Sequence, residues 1–168
     1  MSNARLPWFC FLVMLISASN SWWRDYALLP ARMASHFDAN GLPNAWMSKD
    51  QFSILCAILA GLAAFIGFVP AFLISKLPPA MLNLPNKDYW LAPARRKETV
   101  AFFQRWFAWF ACAFLVFMVW VMNLVFESNV SSRFRLPTGS FMFVLFGFLI
   151  FTAVWSVIMY RRFSKTAS

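Results

Sequence analysis

The sequence predicts an all-α integral membrane fold: four transmembrane helices in a bundle, with one ordered extracytoplasmic loop. Two observations carry that expectation. The chain has 168 residues, 61% of them hydrophobic and only 12% charged, against about 45–50% and about 25% in average soluble domains. Its apolar residues also gather in long runs instead of recurring at the spacing of a soluble core. These features exclude a soluble globular enzyme, a disordered tail and a disulfide-stapled secreted module. The whole length, 1–168, reads as a single four-span domain. The net charge of +9 lies between the apolar runs, so the partner it implies is an anionic lipid surface. Nucleic acid is not implied, because no nucleic-acid-binding module is present.

The first span covers about 6–23. It opens after Arg5 and ends at Trp22-Trp23, an interfacial anchor. Small residues at Ser17-Ala18-Ser19 offer a rival reading as a cleaved secretory signal. The apolar run that continues past them speaks for a retained span.

The loop 24–51 follows, with three basic and three acidic residues and the only histidine of the chain. Asp38-Ala39-Asn40-Gly41 predicts a turn, in which Gly41 supplies a positive φ and the Asx side chains close local hydrogen bonds. Ser48-Lys49-Asp50-Gln51 predicts a capping box opening the next helix, with Met47 and Phe52 as its hydrophobic staple. Trp46 is placed for the headgroup level. His36 and Asp38 offer two metal ligands where a zinc site needs three or four, so no metal is expected. His36 is expected to hydrogen-bond within the loop or across to the loop 127–140, whose Arg133 and Arg135 are available to Asp25 or Asp38.

The second span, 52–75, carries small residues at helical spacing: Ala57 with Gly61, Ala60 with Ala64, Ala63 with Gly67, and Gly67 with Ala71. Such pairs let helix backbones approach closely in lipid. The face is expected to pack within the chain, with a homodimer or another membrane protein as the rival partner. Pro70 predicts a kink. In the connection 76–105, four prolines between 77 and 93 forbid a continuous helix. Tyr89 and Trp90 are expected on the membrane interface. A helix predicted from Ala94 places Arg95, Arg96, Lys97 and Arg105 at the lipid headgroups, with Arg95, Arg96 and Lys97 also the candidate inner contact.

The third span, 106–126, and the fourth, 141–160, are dominated by phenylalanine nearly all round the helix. That pattern fits lipid and helix contacts, and implies no cofactor. The loop 127–140 is short and polar, and Val130, Ser132, Phe134 and Leu136 alternate as a short strand would. Cys10, Cys56 and Cys112 all lie inside spans and read as small packing residues.

Orientation follows from Lys and Arg in the short loops. Ten lie on the side of the termini and the 76–105 connection, and five on the side of the other two loops. Both termini are therefore expected in the cytoplasm and the 24–51 loop outside. No Asp, Glu, Lys or Arg lies midway in a span, which argues against a proton-driven transporter or ion pump.

Leu29-Pro30, His36-Phe37, Gly41, Trp46 and Ser48-Lys49, set between two spans, resemble the signature of a bacterial membrane-protein family, domain of unknown function 1648. The resemblance covers roughly residues 8–75. That domain also forms the N-terminal part of SdpI-type immunity proteins, so the resemblance implies protection against a secreted toxin and signalling to a repressor. SdpI-type proteins carry further spans and a second region, whereas this sequence contains four spans, and Asn44 stands where many members have an acidic residue before the Trp. The segment 83–91 resembles a motif after the second span in one branch of the same family.

No nucleotide loop, Ser/His/Asp set, carboxylate pair or haem ligand pair is present, so the expectation is a non-enzymatic protein without a cofactor. Its candidate binding surface for an extracytoplasmic peptide or protein is His36, Phe37, Asp38, Gly41, Trp46 and Lys49. The rival reading is an accessory subunit of a membrane transporter or membrane enzyme, docked through the second span.

Overall fold

The computed structural model describes residues 5–131 and 134–165. Four helices are long and apolar enough to cross a membrane: α1 (Arg5–Asp25), α2 (Lys49–Lys76), α4 (Pro93–Val130) and α5 (Thr138–Phe163). A single-turn helix α3 (Lys87–Trp90) lies between α2 and α4. The four long helices contain the four sequence-derived spans and extend each of them at both ends. α4 gains the most, because its basic first turns and its last turn beyond Glu127 are polar yet helical.

The loop between α1 and α2 corrects the all-α expectation. It holds an antiparallel hairpin of β1 (Arg32–Phe37) and β2 (Pro43–Ser48). Arg32 pairs with Ser48, Met33 with Met47, Ala34 with Trp46, His36 with Ala45 and Phe37 with Pro43, so Ser35 and Asn44 fall out of register. These irregularities break the period-two alternation by which a strand is recognised in sequence.

α4 is the central post, against which α1, α2 and α5 pack. Three apolar clusters are stacked along it. The one beside the hairpin joins Leu29, Met33, Phe52, Leu124, Val125 and Leu136. The middle one joins Phe11, Ala63, Ala111, Cys112 and Leu115. The third, at the end where α1 begins and α5 finishes, joins Ala71, Phe103 and Phe163.

Small residues set the α2–α4 contact. A Cβ on Gly67 would stand 2.8 Å from the Ala111 Cβ and 2.9 Å from the Trp8 ring, and Ala63, Gly67 and Ala71 are all buried. Gly61 has nothing within 4 Å of its missing Cβ. The small-residue face is therefore spent inside the chain from Ala63 to Ala71, while Ala57 and Gly61 stay exposed. α2 continues as one helix through Pro70. α5 meets α4 through large rings instead: Trp106 stacks on Trp155 at 4.0 Å and Phe117 on Phe148 at 4.4 Å.

The proline-rich connection breaks the helix as expected, with a 3₁₀ turn at Pro79–Met81 before α3. Asn86 sits in the left-handed region at φ 50°, and its amide donates to the Phe163 carbonyl at 3.0 Å. Trp90 Nε1 donates to the same carbonyl at 3.1 Å. Trp90 thus locks the end of α5, rather than serving only as an interfacial ring. Thr99, buried on α4, donates to the Trp90 carbonyl at 2.8 Å.

Past α4, the described residues of the expected strand take no strand structure. Val130 ends the helix, Phe134 takes φ 43° and residues 134–137 are irregular. Ser132 and Arg133 lie outside the described residues.

Candidate functional site

The hairpin is held from three sides, and each hold has a local cause. At its exit, Ser48 caps α2: its side chain accepts from Gln51 N at 3.1 Å, while Ser48 N donates to Gln51 Oε1 at 3.0 Å. The reciprocal pair satisfies donors that a helix start leaves free. Met47 and Phe52 both pack in the adjoining cluster. Lys49 Nζ lies 4.3 Å above the Tyr26 ring, and the Tyr26 hydroxyl donates to Asp50. The 3₁₀ turn Tyr26–Leu28 is thereby pinned to the first turn of α2. Trp22 turns inward as well: its Nε1 donates to Ser53 Oγ at 3.2 Å and its ring meets Phe52 and Phe126. Trp23 stays 82% exposed.

At its tip, Asp38 Oδ1 accepts from Asn40 N at 2.8 Å and Leu42 N at 2.9 Å. Gly41 takes φ 77°, where only glycine is free of strain. Its carbonyl accepts from Leu136 N at 2.9 Å. A Cβ there would lie 2.4 Å from the Leu136 carbonyl oxygen, so conformation and space both require glycine.

Along its length, β1 is seated by one buried amide. Asn129 Oδ1 accepts from Ala34 N at 2.7 Å, and Asn129 Nδ2 donates to Ala34 O at 2.9 Å and to Val125 O at 2.8 Å. The side chain offers Ala34 the donor and acceptor that a neighbouring strand would offer. Asn129 is 1% exposed and Ala34 fully buried.

The sequence-derived candidates now separate by role. Phe37 packs against the cluster beneath the hairpin, Asp38 and Gly41 build the turn, and Lys49 braces Tyr26. His36 and Trp46 are exposed. His36 Nδ1 meets the Asn44 side-chain oxygen at 2.5 Å, within the loop, and the Trp46 ring lies 5.2 Å from that of Phe134. Asn44 and Ala45 beside them are exposed as well. Asp38 is turned to its own backbone and Asp25 pairs with Arg24 at 2.9 Å; among the described residues neither meets Arg135, and Arg133, the other expected partner, lies outside them. Among the described residues, no three His, Cys, Asp or Glu side chains gather as metal ligands.

Arg95, Arg96 and Lys97 lie at the opposite end and do not act alike. Arg96 reaches back to the C-terminus of α2, donating to Leu77 O at 2.8 Å and Ser75 O at 3.4 Å. Arg95 lies 3.9 Å over the Tyr89 ring. Arg95 and Lys97 are exposed.

The site residue that sequence reasoning missed is Asn129. Its signal was present, a polar side chain at the end of an apolar helix, but Asn123 carries the same signal and is exposed.

A family model matches the first part of the chain. Residues 9–62 match the domain of unknown function DUF1648. The match runs from α1 through the hairpin into α2, and stops short of the Asn129 and Leu136 that seat the hairpin. No curated protein and no solved structure matches the chain.

Proposed function

We propose that this is a non-enzymatic multi-pass protein of a bacterial cytoplasmic membrane, its termini inside, whose hairpin receives an extracytoplasmic peptide or protein. The role is immunity-like or signalling, in line with the SdpI-type resemblance. The observation that carries the reading is the contrast within the hairpin. Its backbone is clamped by Asn129, Gly41 and the capping box, yet His36, Asn44 and Trp46 stay uncovered. A rigid scaffold with an exposed aromatic side chain and imidazole suits recognition, because such groups contribute binding area at little entropic cost. Four long apolar helices and the basic bias of the terminal side support the membrane placement.

The rival accessory-subunit reading rests on the uncovered Ala57 and Gly61 of α2. One experiment separates the two: pull-down in mild detergent of wild type, His36→Ala, Trp46→Ala and Arg95→Ala at equal expression. A partner lost from both hairpin variants and kept by Arg95→Ala is the expected result. A partner kept by all three sinks the hairpin reading and favours docking through the helices.

A further inference from the structure

Two grooves open between the apolar helices, and they differ in chemistry. The larger, about 730 Å³ between α1, α4 and α5, has no charged residue in its lining, so it selects for nothing beyond apolarity. The smaller, about 520 Å³ between α1 and α2, is polar at one end. Arg5 and Gln104 line that end, where α1 begins, and Leu12, Phe68 and Phe72 continue it along the helices. Its floor is made by Gly67 and Ala71, both buried.

Neither the Arg5 guanidinium nor the Gln104 amide has a hydrogen-bond or ion-pair partner among the described residues, and both are exposed. From Arg5 to Leu12 the groove runs roughly 10 Å along α1 at the helical rise per residue. A single chain of methylenes fits, with an anionic group against the guanidinium.

We propose that the α1–α2 groove is a site for one anionic glycerophospholipid, with the headgroup phosphate held by Arg5 and Gln104 and an acyl chain along Leu12, Phe68 and Phe72. Charge complementarity selects this occupant: the groove offers one cation and amide donors at its mouth and only apolar walls beyond. The inference rests on the membrane reading. Its content is a particular site, separate from the diffuse attraction of Arg95 and Lys97 to a lipid surface.

The test is native mass spectrometry of detergent-purified protein titrated with phosphatidylglycerol or with phosphatidylcholine of identical chains. Wild type is expected to hold one phosphatidylglycerol in preference to phosphatidylcholine. Arg5→Gln should weaken that preference about fivefold, the typical share of one basic residue near a lipid surface. Leu12→Trp, which fills the apolar end, should lower retention of both lipids. Lys165→Gln, an exposed cation at the same end, should leave the preference intact. Equal binding of the two lipids by wild type overturns the site, as does an equal loss in Arg5→Gln and Lys165→Gln. Carbonate extraction of the same membranes keeps the two levels apart: release without detergent refutes the membrane reading itself, whereas retention without lipid preference refutes only the site.

Discussion

Replacing Asn129 with alanine removes three hydrogen bonds, and the two to Ala34 matter most. Ala34 is fully buried, so its N–H and C=O would lose their partner without gaining water. An unsatisfied buried polar group costs about 1–3 kcal/mol, and two of them give roughly 2–5 kcal/mol after partial relaxation. That is a large part of a typical folding free energy of about 5–15 kcal/mol. The loss should be local first, freeing β1 from α4 while the helices persist. Hydrogen exchange in detergent micelles reads this directly: the amides of Met33, Ala34 and Ser35 should lose protection by about 30-fold or more, the equivalent of 2 kcal/mol. Asn129→Asp should fare no better, because a carboxylate keeps the acceptor for Ala34 N and opposes Ala34 O. Asn123→Ala, at an exposed position of the same helix, should change stability by less than about 0.5 kcal/mol. Unchanged exchange at Ala34 in Asn129→Ala would refute the clamp.

Two further outcomes follow from the packing. Gly67→Ala should destabilise the α1–α2–α4 contact by about 1–3 kcal/mol, as overpacking does, while Gly61→Ala should be neutral or stabilising by up to about 1 kcal/mol; thermal unfolding of the two in one detergent separates them. Trp90→Phe keeps the ring against Phe163 and removes one N–H donor, so it should cost about 0.5–1.5 kcal/mol and raise proteolysis after Arg161 and Arg162.

What could be read from the chain alone was whatever the local backbone decides. The capping box needs only residues three apart, and the Asp38–Gly41 turn only four neighbours, so both were legible. The apolar runs fixed where the helices lie, because length and hydropathy suffice for that. The strands were hidden for a local reason, since Ser35 and Asn44 interrupt the alternation inside strands only six residues long. The seat of the hairpin was hidden for a tertiary one. Asn129 finds Ala34 95 positions away, and nothing near either residue marks the pair. Arg96 shows the same limit: charge counting assigns it to lipid, whereas folding brings it to the carbonyl ends of α2. Trp22 and Trp90 look like interfacial rings by position, yet each spends its indole N–H on another element.

The distance between Ala34 and Asn129 also sets a timetable. A ribosome adding about 5–20 residues per second needs roughly 5–20 s to pass from one to the other. For that interval the newborn hairpin has its turn and its cap but no wall to lean on. The early segment, α1 through α2, is thus an unfinished half until α4 arrives, and any factor that shields a bare strand edge has those seconds in which to act.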